Sequence, residues 1–287
     1  MTVHALIPVF NRLPMTQTML GCLRKQALDE PLSITVVDDG STDGTEAYLR
    51  EQTDVTTLRG DGNLWWGGAI DKGLRHILAI AAPSDWVLFV NNDTQIAPDF
   101  VRLLLNAARK HQPAAVGSVV RNTDPPYQVL SVGPRIHPWT FDVREIRGDE
   151  LDDVEPGLSS VDALSGRGVL YPVAALRQVS GMRPSWLPHY LADYEVSLRV
   201  KAAGWKLLVS HSAGVHSRDE YGSSSRSNHL YERLFSVRSP NYLPAQLRFW
   251  WQASNALGKI TFPLRLPLAF AWRRFRKRFA ISGQVSQ

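Results

Sequence analysis

The chain has 287 residues, 44% of them hydrophobic, which is enough for one large domain or one domain with an extension. Its single cysteine, Cys22, excludes an internal disulfide, and we expect an inert thiol there because no local motif supports catalysis. The net charge is +5, no run of about 18 uncharged apolar residues predicts a transmembrane helix, and the N-terminal segment has no signal-peptide pattern, so we expect a cytoplasmic protein.

Apolar, strand-like runs alternate with helical patterns through the first 111 residues. The predicted strands are Val3–Val9, Ile34–Val37, Val55–Leu58 and Trp86–Val90, and the predicted helices are about Pro14–Ala27, Asp43–Gln52, Gly68–Ala81 and Pro98–His111. This alternation predicts an α/β fold with a mainly parallel sheet flanked by helices. From about 114 to 172 the pattern loosens into short strands and loops. A helix at about Ala192–Ala203 and a strand at Trp205–Val209 follow.

The end of the first predicted strand, Pro8-Val9-Phe10-Asn11-Arg12, contains no glycine. A dinucleotide-binding unit would carry G-x-G-x-x-G at this turn. Its absence weighs against NAD or FAD binding. It also weighs against a sugar-phosphate nucleotidyltransferase, which needs a glycine-rich loop at the same place.

The second predicted strand ends in two adjacent carboxylates, Asp38 and Asp39, followed by Gly-Ser-Thr-Asp-Gly-Thr. Carboxylates at a strand end can accept hydrogen bonds from a nucleobase N–H and from ribose hydroxyls. The same residue types also form turns and helix caps, so the pattern alone supports both interpretations equally. We expect residues 41–43 to cap the next helix and Asp39 to face a ligand.

A glycine-rich segment with two tryptophans, GDGNLWWGGA at 60–69, precedes the third predicted helix. Glycines let the backbone approach a ligand closely, and a helix N-terminus after them can meet a phosphate. Trp65 and Trp66 can equally be core or interface residues, and we expect one of the two to be structural.

The fourth predicted strand ends abruptly in Asn91-Asn92-Asp93-Thr94. Open α/β sheets bind ligands at the carboxyl ends of their strands. One carboxylate flanked by amides can hold a divalent cation against a phosphate. The segment therefore predicts a metal and phosphate site at Asp93.

Five segments, in this order, resemble the motifs of family 2 glycosyltransferases with the GT-A fold. They are PVFNR at 8–12, VVDDGSTDGT at 36–45, GNLWWGGAIDKG at 62–73, VLFVNNDT at 87–94 and LADYEVSLRVKAAGW at 191–205. The resemblance covers about residues 1–220 and implies a GT-A nucleotide-diphospho-sugar transferase domain at 1–225. It implies inverting transfer from a UDP- or dTDP-sugar to a hydroxyl of a glycan or lipid-linked acceptor in cell-surface polysaccharide synthesis. Rhamnose is our first guess for the sugar.

The resemblance also implies which residues hold the donor. Asp39 would bind the pyrimidine base, Asn63 and the glycines after it would lie near the donor, and Asn92 would face the ribose. The other donor-binding residues that it implies are Pro8, Phe10, Asn11, Arg12, Trp66 and Gly67.

The D-x-D motif of the family falls on residues 91–93, where Asn91 replaces the first aspartate. Asp93 would bind Mg²⁺ or Mn²⁺ on the donor diphosphate, and Asn91 would keep an oxygen ligand while losing one negative charge. His216 matches a histidine that often completes the metal or diphosphate site, although a single histidine is more often structural.

Asp193 occupies the position of the family's general base, and Ala192 stands where the family usually has a glutamate. An acceptor hydroxyl is a poor nucleophile, so a carboxylate must take its proton as the bond forms. The structural alternative for Asp193 is a helix N-cap. Glu195 is either an acceptor ligand or the i,i+4 partner of Arg199. Arg167 could lie on an acceptor-side loop or meet a diphosphate.

The last part of the chain is basic. Ten of the 32 Lys and Arg residues and none of the 27 Asp and Glu residues follow Glu232, so this part carries +10 and the preceding part −5. We therefore expect a basic, helical, aromatic-rich extension at 226–287. Its aromatic residues from 245 onward are Phe249, Trp250, Trp251, Phe262, Phe270, Trp272, Phe275 and Phe279.

Basic and aromatic residues together favour peripheral contact of this extension with the inner face of an anionic membrane. A nucleic acid and a helical dimer arm, which would make a homodimer, are the alternatives. The net charge of −5 before the extension argues against nucleic acid. A non-catalytic nucleotide-sugar-binding protein would explain Asn91, but the retained Asp39, Asp93, Asp193 and His216 argue against it.

Overall fold

A computed structural model of the protein describes residues 1–146, 153–217, 229–266 and 268–269. The strands are β1 (Val3–Val9), β2 (Leu32–Asp38), β3 (Val55–Arg59), β4 (Trp86–Phe89), β5 (Thr94–Ile96), β6 (Ala114–Arg121), β7 (Val129–Ser131), β8 (Pro134–His137), β9 (Asp142–Glu145), β10 (Asp153–Glu155), β11 (Leu158–Ser160), β12 (Val169–Pro172) and β13 (Lys206–Ser217). The helices are α1 (Leu13–Arg24), α2 (Thr45–Arg50), α3 (Trp65–Ile80), α4 (Phe100–Lys110), α5 (Val173–Gln178), α6 (Ala192–Ala202), α7 (Leu230–Phe235) and α8 (Leu243–Ala253). A further helix, α9, spans residues 256–266.

One large mixed sheet organises the described residues, in the order β10-β11-β13-β6-β12-β4-β1-β2-β3, with β5 on β13 and β7 on β6. Strands β4, β1, β2 and β3 are parallel neighbours, and β6 is parallel to β13. Strand β12 runs antiparallel between β6 and β4, so its first residues lie beside the carboxyl end of β4. The topology thus brings the ends of six strands and the start of β12 to one edge of the sheet.

Strand β1 shows why helices cover both faces of the sheet. Its residues Val3, Ala5, Ile7 and Val9 lie in one hydrophobic cluster, with α1 and α4. The intervening Leu6 lies in a second cluster, with α3, α6 and α8. Because successive strand residues point to opposite faces, a strand that is mostly apolar, as β1 is, is buried on both sides. This observation confirms the predicted α/β architecture.

The predicted elements of the first half are all present, with shifted ends. The bounds of β1 are those predicted, and β2, β3 and β4 differ by one or two residues. Helix α3 begins at Trp65, so both tryptophans lie in its first turn. The N-cap residue of α2 is Gly44, one residue after the predicted 41–43 cap. Asp43 still bonds the start of the helix, because its Oδ1 accepts from the N–H and the hydroxyl of Thr45, the first residue of α2. Its Oδ2 accepts from the N–H of Leu13.

The basic extension is helical where the structure describes it, and it packs onto the same core. Phe249 and Trp250 of α8 and Phe262 of α9 are buried in the cluster that contains Val196 of α6. The predicted boundary between 225 and 226 lies outside the described residues. No helix in the described part of the chain combines the length and the apolar character that crossing a membrane requires.

Candidate active site

The turn after β1 adopts a left-handed backbone without glycine. Asn11 and Arg12 have φ angles of 57° and 66°, which cost free energy in residues with a side chain. Asn11 offsets this cost through two hydrogen bonds, because its N–H donates to Ser41 Oγ at 2.7 Å and its Oδ1 accepts from the N–H of Thr42 at 2.9 Å. The turn is therefore held to the loop that follows β2.

Asp39 is buried at the end of β2 and organises the glycine-rich segment. Its Oδ1 accepts from the N–H of Gly62 at 2.9 Å, and its Oδ2 accepts from the N–H of Trp65 at 3.1 Å. A Cβ on Gly60 would lie 2.4 Å from Asp39 Oδ1, so glycine is required for this approach. The neighbouring Asp38 accepts from the N–H of Ser41 at 3.0 Å and has a structural role in the turn.

The two amides at the end of β4 are occupied within the protein. Asn91 Oδ1 accepts from the indole N–H of Trp66 at 2.9 Å. Asn92 is buried, and its amide nitrogen donates to Thr16 Oγ1 of α1 at 3.0 Å. Asn92 thus connects the strand end to α1, and its expected contact with the ribose stays a prediction.

Asp93 is the one carboxylate at this strand end. Its Oδ2 accepts from the Arg12 guanidinium at 2.9 Å, whereas its Oδ1 is buried without a hydrogen-bond partner among the described residues. A buried carboxylate oxygen without a partner fits a hard divalent cation, which takes oxygen ligands. The described residues contain no cluster of three or more acidic, histidine or cysteine side chains suited to a metal. Among the described residues, this strand end thus offers one carboxylate to a cation.

His216 lies on β13 at the same edge of the sheet. It pairs in register with Gln95, two residues after Asp93. Its Nδ1 lies 3.2 Å from the carbonyl oxygen of Asn122, and its ring meets Tyr127 edge-on at 5.1 Å. Because Nδ1 faces a carbonyl oxygen, Nε2 is the nitrogen through which His216 could meet a diphosphate or a metal.

Trp66 links the end of β4 to the loop before β12. Its indole N–H bonds Asn91, and its ring packs against Gly166. The N–H of Gly166 donates to Asp193 Oδ2 at 2.9 Å. Trp66 therefore packs between the end of β4 and the loop before β12, and its expected contact with the donor stays a prediction.

Replacing Gly166 by alanine should lower both stability and activity. A Cβ on Gly166 would lie 2.2 Å from Trp66 Cζ2, and the indole is held by Asn91. We expect a loss of about 1–3 kcal/mol in the free energy of unfolding from overpacking, together with a lower kcat because the N–H that holds Asp193 moves. Denaturant unfolding and steady-state kinetics measure the two effects.

The matched control is Gly21→Ala, because an added Cβ on Gly21 in α1 meets nothing within 4 Å. We expect Gly21→Ala to keep full activity and to gain slightly in stability, since alanine favours a helix. Equal kinetics for Gly166→Ala and the native protein would show that the Gly166 loop does not position Asp193.

Asp193 lies in the first turn of α6 and is partly buried. Its two oxygens accept from the backbone N–H groups of Gly166 and Tyr194, each at 2.9 Å. Burial raises the pKa of the Asp193 carboxyl, and these two N–H groups and the charge of Arg167 only partly oppose that shift. Asp193 is not the N-cap, which is Leu191 with a φ of 67°. A carboxyl with a raised pKa at the carboxyl edge of an α/β sheet is a candidate general base.

Glu195 is not an acceptor ligand, which corrects one of the two sequence interpretations. It is 1% exposed, and both of its oxygens accept from Arg199, each at 2.8 Å. Arg199 also donates to the carbonyl oxygens of Val179 and Gly181. The pair therefore fixes α6 to the segment after α5, and bidentate geometry makes it a strong contact.

Sequence reasoning missed the role of residues 187–189. The N–H of Gly67 donates to the carbonyl oxygen of Pro188 at 2.8 Å, and a Cβ on Gly67 would lie 2.6 Å from the carbonyl oxygen of Leu187. Gly67 thus packs α3 closely against residues 187–188, and its expected role at the donor stays a prediction. His189 packs on Trp65 with ring centroids 5.8 Å apart, and burial lowers its pKa to about 4, so it is neutral near pH 7. The W-W-G-G segment was the only signal for this contact.

The remaining predicted residues lie at the rim of the site. Phe10 and Asn63 are exposed, and Pro8 is partly buried. The N–H of Asn63 donates to the Asp61 carboxylate at 2.9 Å. Arg167 follows Gly166, close enough to Asp193 to influence its pKa. These residues lie around the same edge of the sheet. The contacts described here do not bring all of them onto one shared partner.

Comparison with known families gives a match over more than half of the chain. The model of the family described as Glycosyl transferase family 2 matches residues 5–164. A Mycobacterium tuberculosis protein named N-acetylglucosaminyl-diphospho-decaprenol L-rhamnosyltransferase is 27% identical over 280 residues, which cover 88% of this chain and 88% of that protein.

Two solved structures share the fold. GalNAc-T7 with UDP, GalNAc and Mn²⁺ has a TM-score of 0.61 at 13% identity, covering 76% of this chain and 44% of that chain. A mannosyltransferase from Pyrobaculum calidifontis in complex with GDP-Man and Mn²⁺ has a TM-score of 0.56 at 17% identity, covering 97% of this chain and 80% of that chain. The present chain thus covers less than half the length of the first of these structures and most of the length of the second. These likenesses confirm the predicted GT-A fold.

Proposed function

Because the chain belongs to glycosyl transferase family 2, we propose that it transfers a sugar from a UDP- or dTDP-sugar to a hydroxyl of a lipid-linked acceptor, with inversion at the anomeric carbon. The observation that carries this proposal is Asp193. It is a partly buried carboxyl with a raised pKa, held by two backbone N–H groups at the same edge of the sheet as Asp39 and Asp93.

The reaction is a single displacement. The acceptor oxygen attacks the anomeric carbon while its proton passes to Asp193, and the bond from that carbon to the diphosphate breaks, releasing a nucleoside diphosphate. Base and leaving group act on opposite faces of the sugar, so the configuration inverts. Burial favours a raised pKa that brings Asp193 nearer to its working pH, where it is a more effective acceptor of the proton.

A divalent cation, Mg²⁺ or Mn²⁺, would be held by Asp93 through its partnerless Oδ1. His216 is the candidate second group at this edge. When bound, the cation neutralises the charge that grows on the diphosphate as the bond to the sugar breaks. Arg12, which pairs with Asp93, supplies a further positive charge beside the same leaving group.

The site and the relative together support a proposal for the donor and for the acceptor. We propose that Asp39, whose oxygens are fixed by the 60–65 segment, accepts from the N3–H of a uracil or thymine base. The M. tuberculosis relative is named for L-rhamnosyl transfer to a sugar on diphospho-decaprenol. By analogy we propose dTDP-rhamnose as the first donor to test and a sugar-diphospho-polyprenol as the acceptor class, in cell-surface polysaccharide synthesis.

An enzyme that uses a lipid-linked acceptor must reach the membrane surface in which the lipid is embedded. We therefore propose that the protein is peripheral on the cytoplasmic face, where nucleotide sugars are available. The expected homodimer remains an alternative for the extension.

A panel of UDP-, dTDP- and GDP-sugars, each with and without Mn²⁺, tests the donor by thermal shift. A ligand at 100 times its Kd stabilises the folded state by about 2.7 kcal/mol. We expect the largest shift with a dTDP- or UDP-sugar plus Mn²⁺. Transfer to a short-chain sugar-diphospho-prenol, with NMR of the product's anomeric carbon, then tests acceptor and inversion.

Two outcomes of this panel would contradict the proposal. The largest shift with a GDP-sugar would overturn the role of Asp39 with a pyrimidine base. Donor binding without transfer to any hydroxyl acceptor would favour the non-catalytic alternative.

A further inference from the structure

Helix α9 presents an exposed apolar stripe to solvent. Leu257 is 58% exposed, Ile260 77%, Leu264 74% and Leu268, in the helical pair 268–269, 69%. The spacing of three and four residues between the first three places them within an arc of about 60° on a helix of 3.6 residues per turn, and Leu268 follows in the helical pair 268–269. Such a narrow, long stripe of large aliphatic side chains normally packs against something.

The opposite face of α9 is fixed to the body of the protein. Phe262 packs edge-on against Phe141 at 5.4 Å. The Arg265 guanidinium donates to the carbonyl oxygens of Pro138 and Trp139 at 3.0 and 3.1 Å and stacks on the Trp139 ring at 4.4 Å. The stripe is therefore held outward by contacts on the other side of the helix.

These contacts correct the sequence-based picture of how the extension meets a membrane. Phe249, Trp250 and Phe262, which sequence analysis placed among the membrane-facing aromatic residues, are buried in the core. The exposed apolar surface of α9 is aliphatic instead.

The positive charge of the extension indicates which kind of partner covers the apolar stripe. The sequence after Glu232 contains ten Lys and Arg residues and no acidic residue. A second copy of the same extension would bring +10 against +10, which disfavours a dimer through this face. A nucleic acid would satisfy the charge but leaves four aliphatic side chains in water. We propose that the stripe of Leu257, Ile260, Leu264 and Leu268 docks the protein on a bilayer of anionic lipids.

The position of α9 gives this docking a consequence for catalysis, a step that rests on the proposed function. Helix α8 precedes α9 and packs on α6, whose first turn carries Asp193. Arg248 of α8 donates to the carbonyl oxygen of Ser185 at 3.2 Å and stacks on Trp186 at 5.2 Å, in the segment that leads to Asp193. Docking through α9 thus holds the acceptor side of the site near the membrane surface.

Co-sedimentation with vesicles tests the docking surface without any substrate. The double variant Ile260→Asp/Leu264→Asp of the full chain is compared with the native protein on vesicles of phosphatidylglycerol and phosphatidylcholine, and on phosphatidylcholine alone. We expect the native protein to bind the anionic vesicles, more weakly at high salt. The double variant should bind at least about 10-fold more weakly, because two inserted aliphatic side chains become charged.

The matched control is Ile80→Asp. Ile80 is 65% exposed at the last residue of α3, whose first turn lies at the active site; the 16 residues of α3 put it roughly 24 Å away. Ile80→Asp should bind vesicles like the native protein. Because all substituted residues are exposed, far-UV circular dichroism and melting should be unchanged in each variant.

Three results would overturn the inference. They are no binding of the native protein to anionic vesicles at low salt, equal binding by the double variant, and conversion of a native dimer to a monomer by the double variant in gel filtration.

Activity on a water-soluble, short-chain acceptor separates this inference from the proposed function. Equal turnover of native and double variant there, with a difference only on vesicle-embedded acceptor, supports both. Vesicle binding without any turnover would remove the proposed function alone.

Discussion

Replacing Asp193 by asparagine should lower kcat by about 10²–10⁴-fold, the usual contribution of a general base, while leaving donor affinity close to native. The asparagine amide cannot take the proton of the acceptor hydroxyl. Donor affinity should persist because the residues proposed to hold the donor, Asp39 and Asp93, lie on other strand ends. Steady-state kinetics and calorimetric titration with the donor measure the two quantities.

The matched control for this variant is Asp71→Asn. Asp71 is also a buried aspartate whose pKa is raised by burial, and it pairs with Arg75 at 2.6 Å on α3. We expect Asp71→Asn to keep its turnover. Turnover of Asp193→Asn equal to that of the native protein would remove Asp193 from the reaction.

The raised pKa of Asp193 also predicts the pH dependence of the native enzyme. Only the ionised carboxylate accepts a proton, so kcat should fall as pH decreases through the pKa of Asp193, at a higher pH than for an ordinary aspartate near about 3.9. The stability of the folded protein should change with pH in the opposite direction. A carboxyl whose pKa is raised in the folded state stabilises that state when protonated, and this contribution is lost as pH rises through the folded pKa. Loss of activity in acid, at a pH where the protein is still folded, would support protonation of Asp193 as its cause, separate from unfolding.

One chain of contacts connects the base to the donor side of the site. Asn91 at the end of β4 holds the Trp66 indole, the indole packs on Gly166, and the N–H of Gly166 holds Asp193. The proposed base and the strand end that carries Asp93 are thus connected through the same tryptophan. We infer that the Asn91 in the D-x-D position serves this indole, since its oxygen accepts the indole N–H.

The sequence predicted the strand ends well because each combines a local apolar run with an abrupt polar stop. This is true of β1, whose bounds are as predicted, and of β2 and β4, which end within one residue of the predicted position. Long-range contacts were not predictable in the same way. Gly166 and Asp193 are 27 residues apart, and no local pattern in the 165–168 segment indicates that its N–H meets a carboxylate.

Charge and aromatic content were also poor guides to side-chain direction. Glu195 has the residue type of a ligand, but its i,i+4 spacing from Arg199 and its burial make it a structural ion pair. The aromatic residues of α8 and α9 suggested a membrane interface, whereas Phe249 and Trp250 fill the core beside α6. In both cases packing between distant elements decided which side of a helix is buried.

Replacing Asp93 by alanine should abolish the response to metal and most of the activity. The partnerless Oδ1 of Asp93 is the one carboxylate oxygen that this strand end offers to a cation, and a bound cation contributes several kcal/mol to stabilising the leaving group. We expect kcat/KM to fall by about 100-fold or more, since each 1.36 kcal/mol is about tenfold. Manganese titration of activity and of donor binding measures the effect, and an unaltered metal titration would exclude Asp93 as the ligand.

Arg12→Ala provides the opposing control, because Arg12 and a cation compete for the same carboxylate. The Arg12–Asp93 pair is exposed, so it is worth about 0.2–1 kcal/mol, and its removal should strengthen Mn²⁺ binding without nucleotide by roughly 1.5- to 5-fold. Binding of the donor should weaken at the same time if the guanidinium meets the diphosphate. Weaker Mn²⁺ binding in Arg12→Ala would mean that Arg12 orients Asp93 for the metal instead of competing with it. With one carboxylate in the motif, metal binding should in either case be poor until the nucleotide brings its own oxygens.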